Sequence, residues 1–178
     1  MSDGKGPPAV LTRRVVYQTP WFELLAKEGV GFDQPYYVFA TTDYVTVVPV
    51  TRDGMVVLVR QYRPALEAFT LELPSGHVDR GESPADSARR EVLEETGHEV
   101  TTLTPVGALS PDTGRMGNQL WTFVANVVRA AEPEPGVEVH LRPIADLARM
   151  IRAGELRHAL DVAVLTQAAL AGHLPLFG

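Results

Sequence analysis

Cysteine is absent from the 178 residues of this chain. Disulfide bonds, thiolate metal ligands and cysteine nucleophiles are therefore excluded. The sequence also lacks any run approaching the roughly 20 apolar residues that span a bilayer, and residues 1–14 contain no apolar core typical of a signal peptide. We therefore expect a cytoplasmic protein that has no membrane partner.

Positive charge is also scarce. The chain has 16 Lys and Arg against 22 Asp and Glu, which gives a net charge of −6 and a pI near 5.3. This balance argues against a protein that coats nucleic acid, so we expect no nucleic-acid partner. An acidic protein that handles an anionic substrate needs cations at its site. Hydrophobic residues at 45% and charged residues at 21% are typical of a folded globular domain.

Strand signals dominate the chain. The runs "RRVVYQ", "WFELLAKEGV" and "PYYVFAT" predict a small antiparallel sheet, and we assign residues 1–42 to an N-terminal β-sheet subdomain and residues 43–178 to the main domain. The pair Asp53-Gly54 predicts a hairpin. Two helices are expected near the C-terminus, roughly Ile144–Ala153 and Asp161–Ala171. The mixture predicts an α+β fold, an α/β/α sandwich around a mixed sheet.

The clearest helix lies in "GHVDRGESPADSARREVLEETG", which runs from Gly76 to Gly97. Ser83 is a good N-cap, and Pro84 then stands at the first helical position, where its missing N–H costs nothing. Asp86 completes a start that resembles a capping box. Gly97 is suited to a left-handed C-cap. The helix is therefore predicted to begin at Pro84 and to end just before Gly97.

This helix carries three glutamates in five residues, Glu91, Glu94 and Glu95. Like charges three or four residues apart destabilise a helix by a few tenths of a kcal/mol per pair, so a bound cation would offset the repulsion. Mg²⁺ takes oxygen ligands, and Glu91 and Glu95 at i and i+4 can reach one ion while Glu94 faces a second. The alternatives are a solvated acidic face and, for Arg90, simple ion pairs along the helix.

The same segment resembles the Nudix box of the Nudix hydrolases, G-x5-E-x7-R-E-U-x-E-E-x-G-U, where U is a bulky apolar residue. The matching residues are Gly76, Glu82, Arg90, Glu91, Val92, Glu94, Glu95 and Gly97. Only the last position departs, because His98 stands where an apolar residue is usual. Eight matches at fixed spacing make this resemblance specific.

The resemblance implies the Nudix fold and hydrolysis of a nucleoside diphosphate linked to another group. It implies Mg²⁺, with Mn²⁺ as a substitute, bound by Glu91, Glu94, Glu95 and the carbonyl of Ser75. A metal-activated water would attack one phosphorus of the pyrophosphate. In this reading Glu94 also serves catalysis, and Arg90 braces a ligand glutamate.

The segment before the box, "LVRQYRPALEAFTLELPSG", resembles that of ADP-ribose pyrophosphatases and related nucleoside diphosphate-sugar hydrolases. Arg60, Gln61 and Arg63 are expected to bind substrate, because an arginine fork holds two pyrophosphate oxygens at once. The alternative is a polar strand edge. Glu72 is expected to touch a ribose hydroxyl or an arginine.

Downstream, "SPDTG" resembles the Ser-Pro-Gly loop of that subfamily, with Pro111 as the substrate-binding marker and Asp112 in place of the usual glycine. Asn118 stands where an acidic residue is common. The N-terminal strands fit a subfamily in which a small sheet domain is exchanged across a homodimer, so we expect a homodimer. Trp21 is a candidate to stack on the base, although packing in the core or the dimer is the alternative.

The general base in similar enzymes is often a glutamate on a loop beyond the last long strand. "RAAEPEPGVEVH" offers Glu132, Glu134 and Glu138, of which we expect Glu134. Plain linker charges are the alternative. The expected function is Mg²⁺-dependent cleavage of the pyrophosphate of ADP-ribose or a similar nucleotide sugar, which yields a nucleoside monophosphate and a sugar phosphate. The alternatives are a pyrophosphatase of GDP-mannose or another nucleotide sugar, and a non-catalytic sensor of nucleotide sugars.

Overall fold

The computed structural model describes residues 6–176, and the chain divides into two compact units. The first comprises the described residues up to Thr42 together with Ser110–Gln119. The second comprises Asp43–Leu109 and the described residues from Leu120 onward. Residues 1–5 of the predicted N-terminal tail lie outside the described residues, and residues 6–9 form neither helix nor strand.

The first unit is built on a three-stranded antiparallel sheet. Its strands are β1 (Val10–Gln18), β2 (Glu23–Gly29) and β3 (Tyr36–Ala40), in the spatial order β1-β2-β3. The segment Ser110–Gln119 joins this unit, because the backbone N–H of Phe39 donates to the carbonyl of Arg115 at 2.8 Å. The predicted small antiparallel sheet is confirmed, and its unit also includes Ser110–Gln119, which the predicted boundary at residue 43 assigns to the main domain.

The second unit contains a seven-stranded mixed sheet. Its strands are β4 (Tyr44–Thr51), β5 (Met55–Arg63), β6 (Ala68–Glu72), β7 (Ser75–His77), β8 (His98–Leu109), β9 (Leu120–Arg129) and β10 (Glu138–Pro143). The order is β10-β5-β4-β9-β8, with β6 beside β5 and β7 beside β4. Strands β4 and β9 are parallel, and every other pairing is antiparallel. The turn at Gly54 (φ 78°) joins β4 to β5, which confirms the hairpin.

In the described part of the chain, three helices cover the two faces of this sheet: α1 (Pro84–Thr96), α2 (Ile144–Arg152) and α3 (Ala159–Leu170). Helix α1 buries Ala88 and Val92 against one face, with β4, β5 and β9. Helices α2 and α3 pack on the other face in a second apolar cluster. The central strands β4 and β5 read as nearly continuous apolar runs because both their faces are covered. The α/β/α sandwich is confirmed.

The caps of α1 form as predicted. The hydroxyl of Ser83 accepts the N–H of Asp86 at 3.2 Å, and Gly97 is left-handed (φ 65°), with its N–H donating to the Leu93 carbonyl at 2.8 Å. A methyl group at Gly97 would overlap the carbonyl of Ala131. Glycine therefore both ends the helix and admits the segment after β9 against the helix terminus.

None of the helices within residues 6–176 is long and apolar enough to cross a membrane.

Candidate active site

Two glutamates of α1 lie against the short strand β7. A methyl group at Gly76 would overlap the carboxylate of Glu91, so only glycine allows this close approach. The backbone N–H of Ser75 donates to Oε2 of Glu95 at 3.0 Å. Because Glu91 and Glu95 are four residues apart on one helix, both carboxylates meet the Ser75–Gly76 segment, which β4 holds through strand pairing.

Arg90 forms ion pairs with three glutamates of the box. Its Nη1 donates to Glu91 at 2.7 Å and to Glu94 at 3.0 Å, while its Nε donates to Glu82 at 3.1 Å. Its Nη2 also donates to the carbonyl of His77 at 3.1 Å. These carboxylates, Glu82 first, raise the pKa of Arg90, so the guanidinium stays charged. Arg90 thus contacts Glu91, as the resemblance implies, and also forms an i, i+4 pair with Glu94.

Glu95 is a buried carboxylate without a cationic partner in hydrogen-bond range among the described residues. Its exposure is only 7%, and its contacts are the Ser75 N–H and Nε2 of Gln61 at 3.5 Å. Burial raises the pKa of Glu95 to about 7, and the charges of Glu91 and Glu134 add to this rise. Burial likewise raises the pKa of Glu91, against the opposing effect of Arg90. A cation bound here would relieve both costs.

The donor chemistry of this site fits a hard divalent cation. Carboxylate oxygens of Glu91 and Glu95, beside the Ser75–Gly76 backbone, are the ligands that Mg²⁺ prefers. Within residues 6–176, however, no three His, Asp or Glu side chains stand together as a formed metal-binding group. Arg90 instead occupies one oxygen each of Glu91 and Glu94. The kinds of ligand fit, while Glu91 and Glu94 are at present ion-paired with Arg90.

The expected substrate-binding residues of β5 already have protein partners. Arg63 donates to both oxygens of Glu72, from Nε at 3.1 Å and from Nη2 at 2.5 Å. Nη1 of Arg60 lies 2.9 Å from both oxygens of Glu138, which stands opposite it in the β5–β10 register. Glu72 is only 3% exposed. Of the two contacts expected for Glu72, with a ribose hydroxyl or with an arginine, the contact with an arginine is present.

A cavity of about 260 Å³ adjoins the Ser75–Gly76 segment. Its polar lining includes Arg63 and also His158, a residue that no sequence motif indicated. Nδ1 of His158 lies 2.9 Å from Oδ1 of Asp161. In the sequence, the only sign of this pair is a histidine three residues before an aspartate at a helix start, a spacing too common to indicate a site.

The three candidate loop glutamates have different surroundings. The N–H of Glu134 donates to the carbonyl of Glu94 at 2.8 Å, which anchors the loop at the last turn of α1, and its charge raises the pKa of Glu91 and of Glu95. Glu132 pairs with Arg129 and Glu138 pairs with Arg60, both at the surface. The structure therefore brings Glu134 near the box carboxylates. Its role as general base stays a prediction.

Trp21 and Pro111 both belong to the first unit. The Trp21 side chain is exposed. The backbone carbonyl of Trp21 accepts a hydrogen bond from the hydroxyl of Thr41 at 3.3 Å. In the same unit the amide of Asn118 donates to the carbonyl of Thr42 at 3.0 Å. The expected contacts of Trp21 and Pro111 with substrate stay predictions.

Comparison with known proteins agrees with the box geometry. Residues 40–161 match the family model described as NUDIX domain. The chain is 30% identical over 121 residues to the ADP-ribose pyrophosphatase of Bacillus subtilis, with 65% of each protein covered, so it spans just under two thirds of that relative. It is 28% identical over 165 residues to the GDP-mannose pyrophosphatase of Cronobacter sakazakii, covering 85% of this chain and 86% of that protein.

A solved structure supports the fold independently. The crystal structure of an ADP compounds hydrolase superposes with a TM-score of 0.84 at 22% identity, covering 97% of this chain and 100% of that one. The box residues on α1 and β7 lie within the matched region 40–161. The chain therefore belongs to the Nudix hydrolase family.

Proposed function

We propose that this chain hydrolyses the pyrophosphate bond of ADP-ribose or a similar nucleoside diphosphate sugar. The products are a nucleoside monophosphate and a sugar phosphate, and the cofactor is Mg²⁺, with Mn²⁺ able to replace it. The observation that carries this proposal is the placement of Glu91 and the buried Glu95 together against the Ser75–Gly76 backbone.

Glu91, Glu94 and Glu95, together with the Ser75 carbonyl, are the groups that would hold the metal. A bound divalent ion supplies charge neutralisation for the phosphates and lowers the pKa of bound water. Arg90 takes one oxygen of Glu91 and one of Glu94, which leaves the other oxygen of each available. Arg90 thereby orients two of the carboxylates and still leaves one oxygen of each to bind a metal.

The arginines of β5 are suited to bind the substrate phosphates. Arg63 binds the buried Glu72 through Nε and Nη2, which leaves Nη1 as its remaining donor group, and Arg63 also lines the cavity beside Ser75 and Gly76. Arg60 pairs with Glu138, whose side chain is 57% exposed. An exposed ion pair contributes little stability, so Arg60 can exchange Glu138 for a phosphate at small cost. Gln61 then bridges from the same strand to Glu95.

Glu134 is the proposed general base. As the water oxygen forms its bond to one phosphorus, the Glu134 carboxylate takes the proton, and the bond from that phosphorus to the bridging oxygen breaks. The loop is anchored by its backbone at Glu94 while the Glu134 side chain is exposed. Closure of such a loop over substrate often completes a catalytic set.

The test is a screen of nucleotide sugars with Mg²⁺ and with Mn²⁺ that measures released AMP or GMP. We expect AMP from ADP-ribose, loss of activity with a chelator, and restoration when Mg²⁺ is returned. Efficient release of GMP from GDP-mannose with little AMP would favour the second candidate, which the similarity to the Cronobacter protein supports. Tight binding of a nucleotide sugar by calorimetry without any cleavage would overturn both in favour of a sensor.

We further propose that the chain assembles as a homodimer through its first unit. That unit exposes large apolar side chains along β1, namely Leu11, Val15 and Tyr17. Exposed apolar side chains grouped on one strand are typical of a surface that a partner covers. No nucleic acid is proposed as a partner, because the net charge is −6.

A further inference from the structure

A buried carboxylate on α3 lies outside the catalytic set described above. Asp161 has no exposed surface and sits in the first turn of the helix. Its Oδ2 accepts the backbone N–H of Leu73 at 2.9 Å, and its Oδ1 lies 2.9 Å from Nδ1 of His158. One side chain therefore joins the start of α3 to the short segment between β6 and β7.

The segment held by Asp161 leads directly into the candidate metal site. Leu73 is fully buried and stands two residues before Ser75. The carbonyl of Pro74 accepts the N–H of Val47 at 3.1 Å, while the N–H of Ser75 donates to Glu95. The Leu73–Gly76 segment is thus fixed by α3 at one end, by β4 in the middle and by α1 at the other end.

The choice of a carboxylate is informative at this position. Burying a charged group costs several kcal/mol unless it is paired and hydrogen-bonded. A neutral acceptor would suffice to bond the Leu73 N–H alone. The carboxylate of Asp161 bonds Leu73 and His158 together, and His158 lines the same cavity as Ser75 and Gly76.

We propose that His158 and Asp161 are positioning residues that set the Ser75–Gly76 segment for metal binding and catalysis. The inference rests on the proposed function for its divalent-metal site. It does not depend on which nucleotide sugar is cleaved. Outer partners of metal ligands commonly change metal affinity 10–100-fold when removed. The pair acts one step further out, through the backbone between Leu73 and Gly76.

The experiment measures Mn²⁺ affinity of the full chain by calorimetry, together with kcat and KM for the cleaved nucleotide sugar. Asp161→Ala and His158→Ala are the test variants. Asp161→Asn and His158→Gln are the conservative variants, since each keeps a polar group of similar reach. Val164→Ala is the matched control, because Val164 is fully buried on the same helix and its side chain has no polar atom that could bond the segment.

We expect both alanine variants to weaken Mn²⁺ binding by about tenfold and to lower kcat with little change in KM, with recovery in the conservative variants. Val164→Ala should lower the melting temperature and leave Mn²⁺ affinity unchanged. If Asp161→Ala does not fold, His158→Ala, whose side chain is 38% exposed, decides the question.

Three results overturn the inference. The first is that His158→Ala binds Mn²⁺ with the affinity of the wild type. The second is that Val164→Ala weakens Mn²⁺ binding as much as the test variants do, which would show a general effect of stability. The third is that the wild-type chain does not bind Mn²⁺. Failure of the proposed function looks different: the wild-type chain would bind Mn²⁺, the alanine variants would bind it more weakly, and no nucleotide sugar would be cleaved.

Discussion

The Glu91 carboxylate occupies the space that a side chain at residue 76 would need. Gly76 pairs with Val45 of β4, so its backbone position is set by the sheet, while Glu91 projects from α1. The contact joins two elements whose packing must be close for the carboxylates to meet the backbone. Glycine at this position is therefore a requirement of the site rather than of a turn.

Gly76→Ala is expected to displace the Glu91 carboxylate and to lower kcat by about 10²-fold, the upper range for disturbing a metal ligand. The fold should survive, because the overlap involves the flexible end of a side chain. Steady-state kinetics with circular dichroism check this. The control is Gly117→Ala, since a methyl group there meets nothing within 4 Å. Equal kinetics for the two variants would contradict the argument.

Glu95→Gln is expected to reduce turnover by about 10²-fold or more while preserving the fold, because it removes a charged metal ligand. The glutamine keeps an oxygen that accepts the Ser75 N–H, which retains that contact. Activity is measured over a range of Mg²⁺ concentrations up to saturation. Near-normal turnover at saturating Mg²⁺ would rule out Glu95 as a ligand.

Stability of the metal-free protein should depend on pH through Glu95. Burial raises the pKa of Glu95 from 4.5 to about 7 in the folded state. The stabilising contribution of this proton to the folded state is fully present below pH 4.5 and is lost as pH rises through about 7. The reason is that the unfolded chain releases the proton at a lower pH than the folded chain does. The loss corresponds to roughly 3 kcal/mol at 1.36 kcal/mol per pKa unit.

Urea unfolding in the presence of a chelator measures this effect at pH 5 and pH 8. Glu95→Gln has no proton to lose, so its free energy of unfolding should exceed that of the wild type at pH 8 but match it more nearly at pH 5. Added Mg²⁺ should restore wild-type stability at pH 8 by binding the folded state. A difference between the two proteins that is the same at both pH values would contradict the prediction.

Glu134→Gln is expected to lower kcat by roughly 10²–10⁴, the range for loss of a general base, with little change in KM. Glu132→Gln is the matched control, because Glu132 lies on the same loop and pairs only with Arg129 among the described residues. If Glu132→Gln is impaired and Glu134→Gln is not, the mechanism stands with a different residue. If neither variant is impaired, the base lies elsewhere.

Light scattering after gel filtration should give about twice the 19.4 kDa mass of one chain at micromolar concentration. A charge on the apolar side of β1, as in Tyr17→Glu, should shift the protein toward the monomer, because Tyr17 is 61% exposed in the first unit. Leu170→Glu is the control, since Leu170 is 79% exposed on α3 in the second unit. A wild-type mass near 19.4 kDa would contradict the dimer.

Features that depend on neighbouring residues were predictable from the sequence. The caps of α1 at Ser83 and Gly97 and the shared face of Glu91 and Glu95 follow from contacts no more than four residues apart. The hairpin at Gly54 follows equally from local turn chemistry. Together with the spacing of the box, these local rules predicted the fold class and the grouping of Glu91 and Glu95 on one side of α1.

Contacts between residues distant along the chain were decided only by the tertiary structure. Arg60 meets Glu138 because β10 pairs beside β5 in one register, and the two residues are 78 positions apart. Asp161 reaches Leu73 across 88 positions because α3 packs on the sheet. Strand register and helix packing are set by burial summed over the whole core. No local propensity encodes which charge an arginine will meet, so these partners could not be read from the sequence.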